Sequence, residues 1–169
     1  MAQERVEPWL RGTLTDVDAV RRAVLHALEL AAEDVARWCD GLNGEQMEER
    51  PLGLPTVGFH LRHIARSLDR LLTYAENQQL SERQLMLLKT EDKAVDREAT
   101  LMELAEAIEV STKRVLSFSE KSYDQPRFVG RKKLPTTVGG LLIHCADHTQ
   151  RHVGQAITTA KFVIASRER

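Results

Sequence analysis

Three histidines recur at strict four-residue intervals in the stretch LLIHCADHTQRHVGQ, residues 141–155: His144, His148 and His152. The chain has only six histidines. Two others, His60 and His63, sit together upstream, and His26 stands alone. Neutral imidazole is a good ligand for zinc, nickel, copper and iron. On a helix, residues i and i+4 lie one above the other, so two imidazoles can face a single ion. At about 100° per residue the three histidines span roughly 80° of one helix. A third ligand from a neighbouring helix completes a three-ligand set and leaves one position for water or substrate, as in catalytic sites.

Spacing leaves the choice within each cluster open. Either His144 with His148 or His148 with His152 can form the pair, and His148 belongs to both. Upstream, periodicity leans to His60, which lies nearer an apolar stripe than His63. Cys145 is about 20° from His152 in helical phase. A thiolate ligand fits that position, but such a cysteine is more often a small core residue. A lone histidine is most often hydrogen-bonded core or exposed, and His26 is read so. A pH-sensitive cluster without metal is the competing reading of the five grouped histidines.

These residues need helices to position them. Val17, Val20, Val24, Leu28, Ala31, Val35 and Trp38 recur at threes and fours. They predict a helix over 15–39, with Thr15 or Asp16 as N-cap and Asp40-Gly41 as its stop. The segment 43–55 holds two prolines and two glycines, and reads as a loop with at most one short turn. A second helix begins after Pro55 with Thr56 as N-cap and runs to about 77. Its stripe is Ile64, Leu68, Leu71, Leu72 and Ala75, with Arg62, Arg66, Asp69, Arg70 and Thr73 on the opposite face.

A short helix is predicted at 81–88. Leu101, Leu104, Ile108, Ser111, Val115 and Phe118 predict another long one, with Thr100 and Glu103 as a capping box at its start. A long connection at 123–136 follows, with a brief extended stretch at 127–129. The last helix runs over 137–165. "LPTVGFHLRHIA" (54–65) echoes "LPTTVGGLLIHCA" (134–146), and the match lays His63 over His144. Four long helices with little strand pattern predict an all-α four-helix bundle with long connections, as one domain over 1–169.

Composition narrows the partners. The chain has 42% hydrophobic and 29% charged residues and a formal net charge of −1, which does not favour nucleic acid or an anionic membrane. Arg131-Lys132-Lys133 reads as a solvated turn. The opening "MAQERVEPWLRG" lacks the apolar run of a signal peptide. The longest uncharged apolar stretch, around 138–146, is too short to span a bilayer. Two cysteines make no disulfide framework. A cytoplasmic location is the expectation.

The sequence resembles the DinB-like (YfiT-like) metal-binding four-helix bundles along essentially its whole length. "TVGFHLRHIARSLDRLL" looks like the family's glycine–aromatic helix with its histidine before an aliphatic-alanine pair. "HCADHTQRHVGQ" looks like its closing motif, and "LNGEQMEERPLG" resembles its first interhelical loop. The resemblance implies three metal ligands: His63 from the second helix, and His148 with His152 from the last. His60, His144 and Gln155 then become residues that orient ligands or substrate. Many members carry a second histidine where this chain has Arg151. A surface salt bridge is the expected fate of that arginine.

The resemblance also implies a divalent metal, commonly zinc or nickel, and a homodimer. Some relatives are transferases or isomerases using low-molecular-weight thiols, others are hydrolases, and many have no known reaction. The leading expectation is therefore a metal-dependent enzyme of thiol S-transferase or hydrolase type acting on a small-molecule substrate. The alternatives are a non-catalytic metal-binding stress-response or regulatory bundle, and a helical dimerisation domain with a histidine-rich core. The connections 78–99 and 123–136, which would shape a pocket, carry no recognisable chemistry.

Overall fold

A computed structural model describes residues 6–167. Among these, four long helices form the expected all-α bundle: α1 (Ala19–Trp38), α3 (Val57–Ala75), α5 (Arg97–Ser117) and α6 (Val138–Arg167). Two short helices, α2 (Gly44–Met47) and α4 (Glu82–Leu88), lie in the connections. Helix α6 packs against α1 and α3, and α5 packs against α3 and α1. The order around the bundle is therefore α1, α6, α3, α5. The chain crosses the bundle between α1 and α3, and again between α5 and α6. That arrangement seats the histidine faces of α3 and α6 against each other. None of the described helices is long and apolar enough to cross a membrane.

The core follows from the predicted stripes. Val24, Leu28, Ala31 and Val35 of α1 meet Leu61, Ile64, Leu68 and Leu72 of α3 and Leu142, Val153, Ala156, Ala160 and Val163 of α6 in one buried cluster. Burying each of the larger side chains contributes about 1.5–3 kcal/mol.

Local chemistry sets the helix ends, not always where spacing placed them. Thr56 caps α3 as expected, its Oγ1 accepting from Phe59 N at 2.8 Å. Asn77, with a left-handed φ of 62°, ends α3 in a Schellman motif, with Gln78 N donating to Thr73 O and Asn77 N to Tyr74 O. The N-cap of α1 is Asp18, not Thr15 or Asp16, because Leu14 takes a positive φ of 58° and turns the chain first. Likewise Asp96 caps α5. Thr100 lies inside that helix, fully buried, and Glu103 bonds Arg66, so the predicted capping box is not formed.

The connections hold more structure than expected. The 43–55 segment contains α2 and a 3-10 turn at Pro51–Gly53. The extended stretch at β1 (Pro126–Val129) pairs antiparallel with an unforeseen partner, β2 (Leu134–Thr137). The exposed Arg131-Lys132-Lys133 forms the tip. Thr137 Oγ1 then accepts from Gly140 N at 3.0 Å, so α3 and α6 do begin with the same threonine device.

The largest departure is the polar face of α3. Arg62, Arg66 and Thr73 are buried, Arg62 completely. Arg62 Nη1 lies 2.6 Å from Glu48 Oε1, and Arg66 Nε 2.7 Å from Glu103 Oε1. Periodicity separates apolar from polar residues; it does not separate solvated arginines from arginines matched by carboxylates of neighbouring elements. Gly58 belongs to this arrangement. A Cβ there would lie 2.2 Å from Glu48 Oε1 and 2.7 Å from Arg62 Nη1, so only glycine lets that ion pair lie against the first turn of α3.

Candidate metal centre

Helix α6 turns Cys145, Thr149 and Val153 into the bundle. His148 and His152, on the flank of that buried stripe, face α3. There they meet His63, with ring centroids 4.9 Å and 4.4 Å away. One nitrogen from each of His63, His148 and His152 lies within 4.8 Å of the others. The closest approach is His63 Nε2 to His148 Nε2 at 3.2 Å. Two imidazoles on a tetrahedral zinc, with Zn–N of about 2.0–2.1 Å, hold their ligand atoms roughly 3.3 Å apart. The donor set therefore fits a divalent ion. Among the described residues, no carboxylate or thiol joins these three in that sphere.

The remaining predicted residues take different places. His60 is buried at 2% exposure, and its Nδ1 lies 3.0 Å from His152 Nδ1. That contact engages one nitrogen of His152 and leaves Nε2 free. His144 points outward, its side chain 46% exposed and 3.8 Å from Asp147. It approaches His148 only ring to ring, at 5.4 Å. The internal echo, which paired His144 with His63, thus matches helix starts and not positions in the site.

Gln155 is exposed and lines a cavity of about 280 Å³ together with His60, Arg151, Gly154 and Thr158. Arg151 pairs with Asp147 at 2.6 Å, both exposed, as a surface salt bridge. Cys145 is packed in the core, and burial pushes its thiol up to about 12. His26 is buried beside Thr13, 3.1 Å from its Oγ1.

One residue of the site has no motif in the sequence. Glu91, in the α4–α5 connection, is 6% exposed. Its Oε2 lies 2.7 Å from His63 Nδ1 and its Oε1 2.6 Å from Arg70 Nη1. Burial raises its carboxyl, but the bonds from His63 and Arg70 outweigh this and hold it below the usual range. The connection 78–99 therefore does carry chemistry. Glu91 lies 28 residues from His63, and no periodicity links a loop residue to a helix at that distance.

Three of the imidazoles, those of His60, His148 and His152, are held neutral. Burial first, then the nearby imidazoles, lower His60, His148 and His152 to about 4. Neutral imidazoles present the lone pairs that a metal needs. The sign of the pH effect follows. The unfolded chain takes up protons near pH 6.5 while the folded chain resists to about pH 4, so stability is lost as pH falls through that window. In chelator, the melting temperature is expected to be level above about pH 7 and to drop between pH 6.5 and 4.5. A flat profile there in thermal melts would contradict the buried neutral cluster.

Comparison with known proteins agrees with this architecture. The sequence model of the DinB superfamily matches residues 27–156, a span that includes His63, His148 and His152. No curated protein matches the chain. Among solved structures, the crystal structure of a conserved protein from Enterococcus faecalis superposes with a TM-score of 0.71 at 19% identity, over 88% of this chain and 99% of the other. That likeness concerns the fold.

Proposed function

This chain belongs to the DinB superfamily, and from that premise we propose that it is a metal-dependent enzyme holding one zinc or nickel ion on His63, His148 and His152. The observation that carries the reading is the convergence of three imidazole nitrogens from two helices within 4.8 Å. A divalent ion there would supply Lewis acidity, lowering the pKa of a thiol or water in its open position. The chain's own residues do the rest. His60 orients His152, Glu91 orients His63, and Gln155 and Arg151 line the neighbouring cavity where a small substrate fits. Thiol S-transfer and hydrolysis are the reaction types proposed.

Cobalt(II) in place of the native ion tests the open position. Adding a low-molecular-weight thiol is expected to change the visible spectrum of the cobalt-loaded protein and to leave that of a His148→Ala control unchanged. A wild-type spectrum indifferent to thiol would contradict the thiol reaction and favour a non-catalytic metal-binding bundle.

A further inference from the structure

We infer that Glu91 is a positioning residue, held by Arg70 and Arg62, that fixes His63 in the tautomer whose Nε2 lone pair faces His148 and His152. The inference rests on the metal-binding reading above and adds to it the device that prepares one ligand.

The geometry runs through three elements. Arg62 Nε, buried in α3, donates to the backbone carbonyl of Glu91 at 3.2 Å. This ties the α4–α5 connection to α3. Arg70, two turns further along α3, donates to Glu91 Oε1 at 2.6 Å and to Ser67 Oγ at 3.0 Å. The carboxylate is thereby fixed in rotation, and its second oxygen meets His63 Nδ1 at 2.7 Å. An ionised carboxylate only accepts. In the neutral form of His63, which is the form that ligates, the proton therefore sits on Nδ1, and Nε2, 3.2 Å from His148 Nε2, carries the lone pair. A histidine side chain free in water favours the opposite, Nε2–H tautomer, so the carboxylate reverses the intrinsic preference. Such partners raise ligand basicity and fix ring orientation, and losing one typically costs about 10–100-fold in metal affinity.

A residue that only stapled the α4–α5 connection to α3 would affect melting but not the tautomer. Long-range proton–nitrogen NMR of the metal-free protein reads the tautomer of His63. Competition with a chromophoric chelator reads zinc affinity. In the wild type His63 is expected as the Nδ1–H form. Glu91→Ala is expected to move it toward Nε2–H and to weaken zinc binding about 10–100-fold. Glu91→Gln keeps a neutral acceptor and should lose less.

A wild-type His63 found as Nε2–H overturns the inference, as does a folded Glu91→Ala protein with unchanged tautomer and affinity. Should Glu91→Ala not fold, Glu91→Gln with wild-type zinc affinity overturns it equally. A wild type that takes up no zinc defeats the metal reading instead. The tautomers of the metal-free wild type and variants then still decide the role of Glu91.

Discussion

Replacing His148 with alanine is expected to abolish metal uptake. Elemental analysis after zinc or nickel loading should give about one ion per wild-type chain and none for the variant. The His148 ring lies 4.9 Å from His63 and 4.5 Å from His152, so its loss removes one of three mutually close ligands and opens the set. Losing an orienting partner alone costs about 10–100-fold in affinity, and losing a ligand should exceed that.

Stability gives a second readout. Zinc at about 1,000 times its dissociation constant stabilises a folded protein by about 4 kcal/mol. For a chain of this size that amounts to about 10 °C in melting temperature. The variant should lose this increment while folding without metal, since His148 is only half-buried. His144→Ala is the control. That side chain points outward, and its removal should leave metal content unchanged. Equal loss from both variants, or a folded wild type that binds no ion, would refute the assignment.

The second large effect concerns Arg62. Its guanidinium is fully buried, with Nη1 2.6 Å from Glu48 Oε1, Nη2 3.3 Å from Oε2 and Nε 3.2 Å from the Glu91 carbonyl. A buried ion pair adds little net stability over an apolar pair, but removing one partner strands the other. Arg62→Met should therefore cost about 3–5 kcal/mol, measured by urea denaturation. Adding Glu48→Met should recover part of the loss, because no unpaired carboxylate remains. Zinc affinity should also fall in Arg62→Met, since the carbonyl that anchors Glu91 loses its donor. A loss below about 1 kcal/mol would mean that water or a rearranged Glu48 replaces the guanidinium.

The four-helix architecture was legible because helix formation is local. Apolar residues at threes and fours and Thr56 before α3 act over one or two turns, and both appear in the structure where spacing put them. The misplaced caps of α1 and α5 failed for a related reason. Asp18 and Asp96 compete with other cap formers nearby, and a positive φ at Leu14 or the burial of Thr100 decides which is used.

By itself the sequence determined that five histidines would lie on two helices, with His148 central to any pair on α6. That follows from the repeat of the helix and needs no partner. The family resemblance singled out His63, His148 and His152; periodicity alone leaned toward His60. Only tertiary packing turned His144 outward, seated His60 behind His152, and brought Glu91 from a loop onto His63. Which flank of a helix faces its neighbour depends on how that neighbour packs. Residues that meet across 28 or 92 positions do so because three elements are pressed together, an outcome that no local spacing encodes.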